Sequence, residues 1–489
     1  MKKLISFIAV LFIATTLFAQ SEYDFVIIPG KTYKIGKTEV TQKFYESVMG
    51  ENPSIHKDPN MPVENVSWFD AASFCNKLSI MHGREPVYLD GDWKDVEHIG
   101  YVPHKGTKYK GKIIRNDEAD GYRLPSHDEW AYASRGGEFF TFAGSDDLDE
   151  VAWHYLNGGW PSHPVAQKKP NGYGLYDMNG NVMEWCNNRT KTFEDNRYIT
   201  GGDYTTLDEF KFNATYSVDV PAYYRAENIG IRLCASLSGE ELEAAQKQIE
   251  AKKNELLNDL DNYFVEIPGK VYKMGKTEVT QELYEAVMGA NPSFFALDCL
   301  PIENVSWYDA IYFCNKLSVM KGKEPVYAVD GITDIAEWNY EPHHEKELRG
   351  NITQNTLANG YRLPDEAEWE YAAKGGEDFI YSGSDDMNEV AWCYENSNRK
   401  THPVALKKTN AYGLYDMTGN VCEWVWSDFS EGHLRGGSYS ENDTWETSHL
   451  KIWKVTTEGR IRPTYRGRNI GFRILAPTEL NSFITTHSH

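Results

Sequence analysis

Cysteine is scarce, seven in 489 residues, too few for a fold stapled together by disulfides. Positive charge is in deficit: 50 Lys and Arg face 72 Asp and Glu, a formal net charge of −22. A chain this acidic repels phosphate backbones and anionic lipid, which argues against nucleic acid or a membrane surface as its partner. Long apolar runs are missing beyond residue 20, so no later segment is expected to cross a bilayer. Also absent are a Gly-rich phosphate loop, a nucleophile-elbow serine and a Cys-x-x-Cys pair. What is present is ordinary globular composition, with 41% hydrophobic, 25% charged and 13% aromatic residues, and length for two or three domains.

The N-terminus speaks to compartment. Lys2 and Lys3 precede an uncharged run from Leu4 to Gln20, and Ser21, Glu22 and Asp24 then restore polarity. A basic start followed by a short apolar stretch reads as a signal peptide over residues 1–20, cut near Ala19 or Gln20. The first cysteine is Cys75, so the lipid-attachment cysteine of a lipoprotein is missing. The expectation is an exported protein, periplasmic or extracellular, with no transmembrane segment once the signal is removed.

The remainder is one unit written twice. Residues 25–54 and 264–293 agree at 23 of 30 positions without a gap. The same offset relates Glu64-Asn65-Val66-Ser67-Trp68 to Glu303-Asn304-Val305-Ser306-Trp307, and Gly121-Tyr122-Arg123-Leu124-Pro125 to Gly360-Tyr361-Arg362-Leu363-Pro364. Register slips only beyond Trp185 and Trp424, and divergence concentrates in 186–227 and 425–468. A unit this long is a domain, not a solenoid repeat. The organisation read here is domain 1 over 21–237, a linker over 238–262, domain 2 over 263–478 and a tail over 479–489. The linker is rich in Glu, Lys, Gln and Ala, and Leu242, Ala245, Ile249, Leu256 and Leu260 recur at helical spacing. It is expected to be a helix lying against a domain.

Within each domain the elements are short and mixed, an α+β pattern with much ordered loop. Thr41 and Thr280 are expected to cap a helix carrying Tyr45, Val48 and Met49 on one face. Ser67 with Asp70, and Ser306 with Asp309, form capping boxes opening a second helix that contains Cys75 or Cys314 as packing residues. Asp128–Ala133 is expected to be a third helix, and Phe25–Ile28 and Ile229–Leu233 strands.

Asp177-Met178-Asn179-Gly180-Asn181-Val182-Met183-Glu184 returns as Asp416-Met417-Thr418-Gly419-Asn420-Val421-Cys422-Glu423. Oxygen-bearing side chains spaced around a glycine suit a hard cation, because calcium takes six to eight oxygens and glycine lets the chain turn tightly. Histidine promises less. His104 with His343, and His163 with His402, occur in both halves without a partner at ligand spacing, and His343-His344 among Glu341, Glu345 and Glu347 reads as a solvated acidic loop. Cys299 and Cys393, confined to the second half, are candidates for a local disulfide.

The ordered series Glu39-Val40-Thr41, Val66-Ser67-Trp68-x-Asp70-Ala71, Tyr122-Arg123-Leu124-Pro125-x-x-x-Glu129-Trp130, Tyr173-Gly174-Leu175-Tyr176-Asp177, Gly201-Gly202 and Gly230-Ile231-Arg232 resembles the formylglycine-generating enzyme, or sulfatase-modifying factor, domain. The second half carries it more faithfully, with Tyr361 to Ala373, Arg435-Gly436-Gly437-Ser438-Tyr439 and Gly471-Phe472-Arg473. The resemblance implies an α+β, loop-rich fold related to C-type lectins, in two tandem copies. It implies a family whose enzymes oxidise a sulfatase cysteine to formylglycine with oxygen and copper. It places calcium ligands on Asp177, Gly180 and Val182 (by their carbonyls) and Glu184, and on Asp416, Gly419, Val421 and Glu423. The family's second calcium site, near 151–153 and 390–392, lacks its expected Asn.

The catalytic part departs from the family. Its two reactive cysteines fall here on Thr206 and Lys211, and on Glu441 and Glu446. Without a thiolate there is no soft ligand for copper and no nucleophile. The aromatic of the family's Asn-x-Trp-Glu-Trp element is replaced by Met183 and by Cys422, the latter a substitute thiol or a small hydrophobe. The expectation is a module stabilised by structural calcium, with copper or iron disfavoured, binding an unidentified protein, peptide or glycan. Tyr223, Tyr224, Trp445 and Trp453 are candidates for the ligand surface. Two alternatives stand beside it: an oxidoreductase using another metal through a His-and-carboxylate triad, and a structural envelope protein.

Overall fold

The computed structural model describes residues 23–90, 103–105, 113–189, 195–344, 347–427, 432–440, 454–456 and 458–478. The expected signal and tail, and Glu441, Trp445, Glu446 and Trp453, lie outside them. The chain divides into two compact units, Met1–Glu250 and Ala251–His489.

In the first unit, strands β1 (Phe25–Ile27) and β2 (Tyr33–Gly36) form an antiparallel hairpin. Helix α1 (Gln42–Met49) starts where the Thr41 hydroxyl accepts the Phe44 N–H and stops at Gly50, whose φ of 83° suits glycine. Helix α2 (Trp68–Met81) opens on the expected box, with the Ser67 side chain on Asp70 N–H and the Asp70 carboxylate on Ser67 N–H. It is buried on almost every face and forms the core with Phe44, Tyr45 and Trp185. Cys75 is buried there as packing. Strand β3 (Tyr122–Arg123) and helix α3 (His127–Arg135) follow, and then β4 (Met183–Arg189), β5 (Asn196–Thr200), β6 (Ser217–Pro221), β7 (Ile229–Gly230) and β8 (Cys234–Ser236). They make two sheets, ordered β1-β2-β8-β3 and β6-β5-β4-β7, with β7 parallel to β4.

Of the expected strand over Ile229–Leu233 only Ile229–Gly230 is one, and the next strand, β8, begins at Cys234 in the other sheet. Between them Arg232 turns its guanidinium inward to a buried carboxylate, which breaks the pleat and hands the chain from one sheet to the other.

The linker is helix α4 (Gly239–Asn258). In the first unit Lys34 grips the Glu241 carboxylate at 2.7 and 2.8 Å and Ala245 is buried. In the second unit Lys252 bridges Glu282 and Asp298, Leu256 packs partly buried against the core, and Leu257 beside it is buried in that core.

The second unit repeats the plan. Strands β9 (Phe264–Glu266) and β10 (Tyr272–Gly275) lead to α5 (Gln281–Met288), α6 (Trp307–Met320) and α7 (Glu366–Lys374), again with caps at Thr280 and Ser306–Asp309. A hairpin of β11 (Tyr327–Val329) and β12 (Ile352–Gln354) stands between α6 and α7. Strands β13 (Cys422–Val425), β14 (Gly432–Arg435), β15 (Gly459–Ile461) and β16 (Ile470–Phe472) form the sheet β15-β14-β13-β16. Strand β17 (Leu475–Pro477) pairs with β10.

Two further expectations are corrected. Cys299 and Cys393 are both free, the first exposed and the second buried, so they form no disulfide. His343 is not part of a solvated loop: its ring packs on Tyr284 and its Nε2 meets the Tyr284 hydroxyl at 2.9 Å. Among the described residues no helix is long and apolar enough to cross a membrane.

Candidate functional site

The repeated Asp-to-Glu loops run into β4 and β13, and their backbone is unusual. Asp177 and Asn181 have φ of 54° and 61°, and Asp416 and Asn420 have 54° and 60°. Left-handed backbone at a residue with a Cβ is disfavoured by about 1 kcal/mol or more and persists only where surroundings enforce it. Here they do. The Asn181 side chain accepts the His163 N–H and donates to the His163 carbonyl, while one Asp177 oxygen accepts the Ala166 N–H at 2.7 Å. Asn420 and Asp416 repeat this with His402 and Ala405.

Gly419 is demanded by space as well as by its φ of 85°. A Cβ there would stand 2.6 Å from the Trp392 carbonyl oxygen, and at Gly180 one would stand 2.2 Å from that of Trp153. Gly419→Ala is expected to destabilise the second domain by on the order of 3 kcal/mol, read by denaturant unfolding. A change under 1 kcal/mol would show that the loop relaxes freely.

Glu184 and Glu423 are the centres of a buried hub. The Glu423 carboxylate receives Arg473 Nε at 2.8 and 2.9 Å, Arg473 Nη2 at 2.6 Å and Trp369 Nε1 at 2.7 Å. Glu184 receives Arg232 and Trp130 in the same way. Each arginine also donates to the carbonyl of Gly36 or Gly275 and of Tyr176 or Tyr415, tying the loop to the first sheet of its own domain.

The structure adds a carboxylate that the loop pattern did not contain, Glu39 or Glu278. Both are fully buried. Glu39 accepts from Asn181 Nδ2 and Val182 N, but among the described residues neither oxygen of Glu278 meets a donor from another residue, and Asp416 Oδ1 is equally without one. Burial first, and then the charges of Asp416 and Glu423, push the Glu278 carboxyl well above the ordinary range, and burial pushes Asp416 up to about 6. Glu39 and Asp177 are raised for the same reasons. Each site thus holds three buried carboxylates against one guanidinium, two negative charges in excess. Such an excess in a dry interior must be neutralised by protons or by a cation. The donors are all oxygen, the kind a hard divalent ion takes, but the three carboxylates of each site do not all come within 4.8 Å of one another, and both oxygens of Glu184 and of Glu423 are taken up by arginine and tryptophan. The signal available in sequence was a glutamate beside the core residue Val40 or Val279 at the same place in both halves.

The shared histidines are structural. His163 and His402 lie flat on Trp153 and Trp392, at 3.9 and 3.7 Å between ring centroids, with Lys168 and Lys407 over the same indoles. Their Nε2 atoms meet the carbonyls of Gly158 and Ser397. Burial holds His402 neutral, with its pKa lowered to about 4.

Of the positions on which the resemblance places the family's thiols, Thr206 is buried and closes a turn, its hydroxyl accepting the Asp203 N–H. Lys211 lies in a short 3-10 turn. Cys422, on β13, is buried in the core cluster as a small hydrophobe.

The second domain carries a cleft of about 1260 Å³. One wall is aromatic, built from Trp307, Tyr308 and Trp426, with the two indoles 5.3 Å apart. The facing wall includes β12, and Glu366 and His433 also line the cavity. In the first domain Trp68, the counterpart of Trp307, is instead covered by Arg197 at 4.3 Å. Gly432 stands at the position of Arg197 in the second domain. Tyr223 and Tyr224 are half-exposed.

The family profile described as the sulfatase-modifying factor enzyme 1-like domain matches residues 7–237 and 260–477. The chain belongs to the sulfatase-modifying factor family. Its two sulfatase-modifying-factor domains have relatives with differing names. The Chaperone protein LppX of Paenibacillus barcinonensis is 36% identical over 229 residues, 42% of this chain and 79% of the relative. The formylglycine-generating enzyme of Streptomyces coelicolor is 30% identical over 157 residues, 25% of this chain and 49% of that enzyme, about half its length. Among solved structures, Treponema denticola variable protein 1 shows 34% identity, covering 44% of this chain and 91% of its own, at a TM-score of 0.38.

Proposed function

We propose that this is an exported, non-lipidated binding module, periplasmic or extracellular, that has lost the thiol chemistry of its family and engages extended polypeptide through the cleft of the second domain. The observation that carries it is that Thr206 and Lys211, and Glu441 and Glu446, stand where the family resemblance places its two reactive cysteines.

Polypeptide is favoured over glycan by the cleft's own construction. Strand β12 pairs with β11 on one side and with no strand among the described residues on the other, and it lies along the cavity. An open strand edge offers main-chain hydrogen bonds to an added strand, and the Trp307–Trp426 wall offers a surface for alternate side chains. A relative named as a chaperone is consistent with this reading.

Calcium is the ion assigned to the two loops, held by Asp177, Gly180, Val182 and Glu184 with Glu39, and by Asp416, Gly419, Val421 and Glu423 with Glu278. The excess of two buried negative charges at each site supports it. Its role is to hold the loop and the inward-turned arginine together, not to react.

The test is titration of the full chain with a reduced, unfolded model polypeptide, followed by tryptophan fluorescence and by suppression of that polypeptide's aggregation. Trp426→Ala is expected to weaken binding at least tenfold, about 1.4 kcal/mol. A cysteine-containing sulfatase peptide with copper is expected to cause no oxygen uptake. Binding that survives Trp426→Ala, or none above background, would sink the reading.

A further inference from the structure

Three side chains distant in sequence meet beside the second domain's cleft, which two of them, Glu366 and His433, line. Glu366 is the first residue of α7, His433 lies on β14, and Glu458 immediately precedes β15. One ligand atom from each, all three within 4.8 Å of one another, forms the single such cluster among the described residues. His433 Nδ1 contacts the Glu366 carboxylate directly, and the Glu366 and Glu458 carboxyls are themselves within hydrogen-bonding reach. His433 is 3% exposed, whereas the two glutamates are half-buried and free to adjust.

We propose that Glu366, His433 and Glu458 form a divalent transition-metal site of the zinc class, distinct from the calcium loops and facing the cleft. One imidazole and two carboxylates are a borderline donor set, suited to zinc and its neighbours rather than to calcium. Donors around a tetrahedral ion with bonds of about 2.1 Å sit roughly 3.4 Å apart, so His433 and Glu366, now in direct contact, would have to part by about an ångström to admit the ion between them. Three protein ligands leave a fourth position for water or for a carbonyl or carboxylate of whatever enters the cavity.

The surrounding charges are arranged behind the carboxylates. Arg460 donates to Glu458 at 2.8 Å, and Arg435 stands 3.8 Å from Glu366 and 3.7 Å from Glu370. They orient the ligands as outer partners do, and they also set the competing arrangement, a purely salt-bridged cluster around His433.

The first domain has no equivalent. Equivalent strand registers place His127, Tyr198 and Ser217 at these positions, and His127 and Tyr198 merely pack as rings 5.7 Å apart. One site per chain is therefore expected.

The experiment is zinc titration of the full chain by calorimetry in excess calcium, so that the loops are occupied or indifferent and the outcome stands apart from the calcium assignment. Cobalt serves as a second probe, through the visible band of a low-coordinate ion. About one zinc per chain and a cobalt band are expected. Glu366→Gln with Glu458→Gln is expected to weaken zinc by more than the roughly 10–100-fold that loss of an outer partner costs. Glu370→Gln should leave it within a few-fold. If His433→Gln fails to fold, the glutamate pair still decides, because those side chains are half-buried. No zinc above background, or zinc retained in the Glu366→Gln/Glu458→Gln variant, would overturn the assignment.

Discussion

Arg473→Met is expected to cost about 3–5 kcal/mol and to unfold the second domain first. Both partners of the Arg473–Glu423 pair are fully buried, and the guanidinium also satisfies the Gly275 and Tyr415 carbonyls. Without it, Glu278, Asp416 and Glu423 share a dry interior with no guanidinium among them, and two backbone acceptors lose their donor. Glu423→Gln in the same chain removes one of the stranded charges, so the double variant should recover part of the loss, and the cycle isolates the pair's coupling. Hydrogen exchange locates the effect: the amides of Cys422–Val425 should lose protection while those of Met183–Arg189 keep theirs. Equal loss in both domains, or a cost below 1 kcal/mol, would show that the arginine is not the hub.

Removal of calcium should destabilise the protein in a strongly pH-dependent way. Ligand linkage alone contributes about 2.7 kcal/mol per site at one hundred times the dissociation constant. The carboxyls of Glu278 and Asp416 are raised in the folded protein, chiefly by burial. A raised acid favours the protonated folded state, so its contribution is fully present below the unfolded value near 3.8 and is lost as pH rises through about 6 for Asp416. In EGTA the protein should therefore melt higher at pH 5 than at pH 8. In calcium this dependence should flatten, because the ion replaces the protons. Glu278→Gln gives the sharper contrast: in EGTA at pH 8 it should be neutral or stabilising, since it removes a buried uncompensated charge, and in calcium it should forfeit that domain's stabilisation. A chelator-insensitive melt at pH 8 would refute the calcium assignment.

The depth of these effects depends on convergence that local patterns do not record. The caps at Thr41, Ser67, Thr280 and Ser306 were legible because a cap is a contact between residues three apart. The helical linker was legible from its composition and spacing, with Leu256 packed against the core and Leu257 and Leu260 buried in it. The strand read over Ile229–Leu233 was not, since alternation says nothing about a guanidinium drawn off the pleat by a carboxylate 48 residues away.

By itself the sequence determined the duplication, the family and the acidic balance, all of which are properties of residue identity. Only the tertiary structure decided that Glu39 and Glu278 join the loops, that one arginine balances three carboxylates, and that Glu366, His433 and Glu458 meet beside an aromatic cleft. The physical reason is that burial sets the worth of a charge. A glutamate in solution costs nothing, whereas the same glutamate in a dry core must find a proton, an arginine or a metal ion, and which of these it finds is a matter of what the fold brings within a few ångströms.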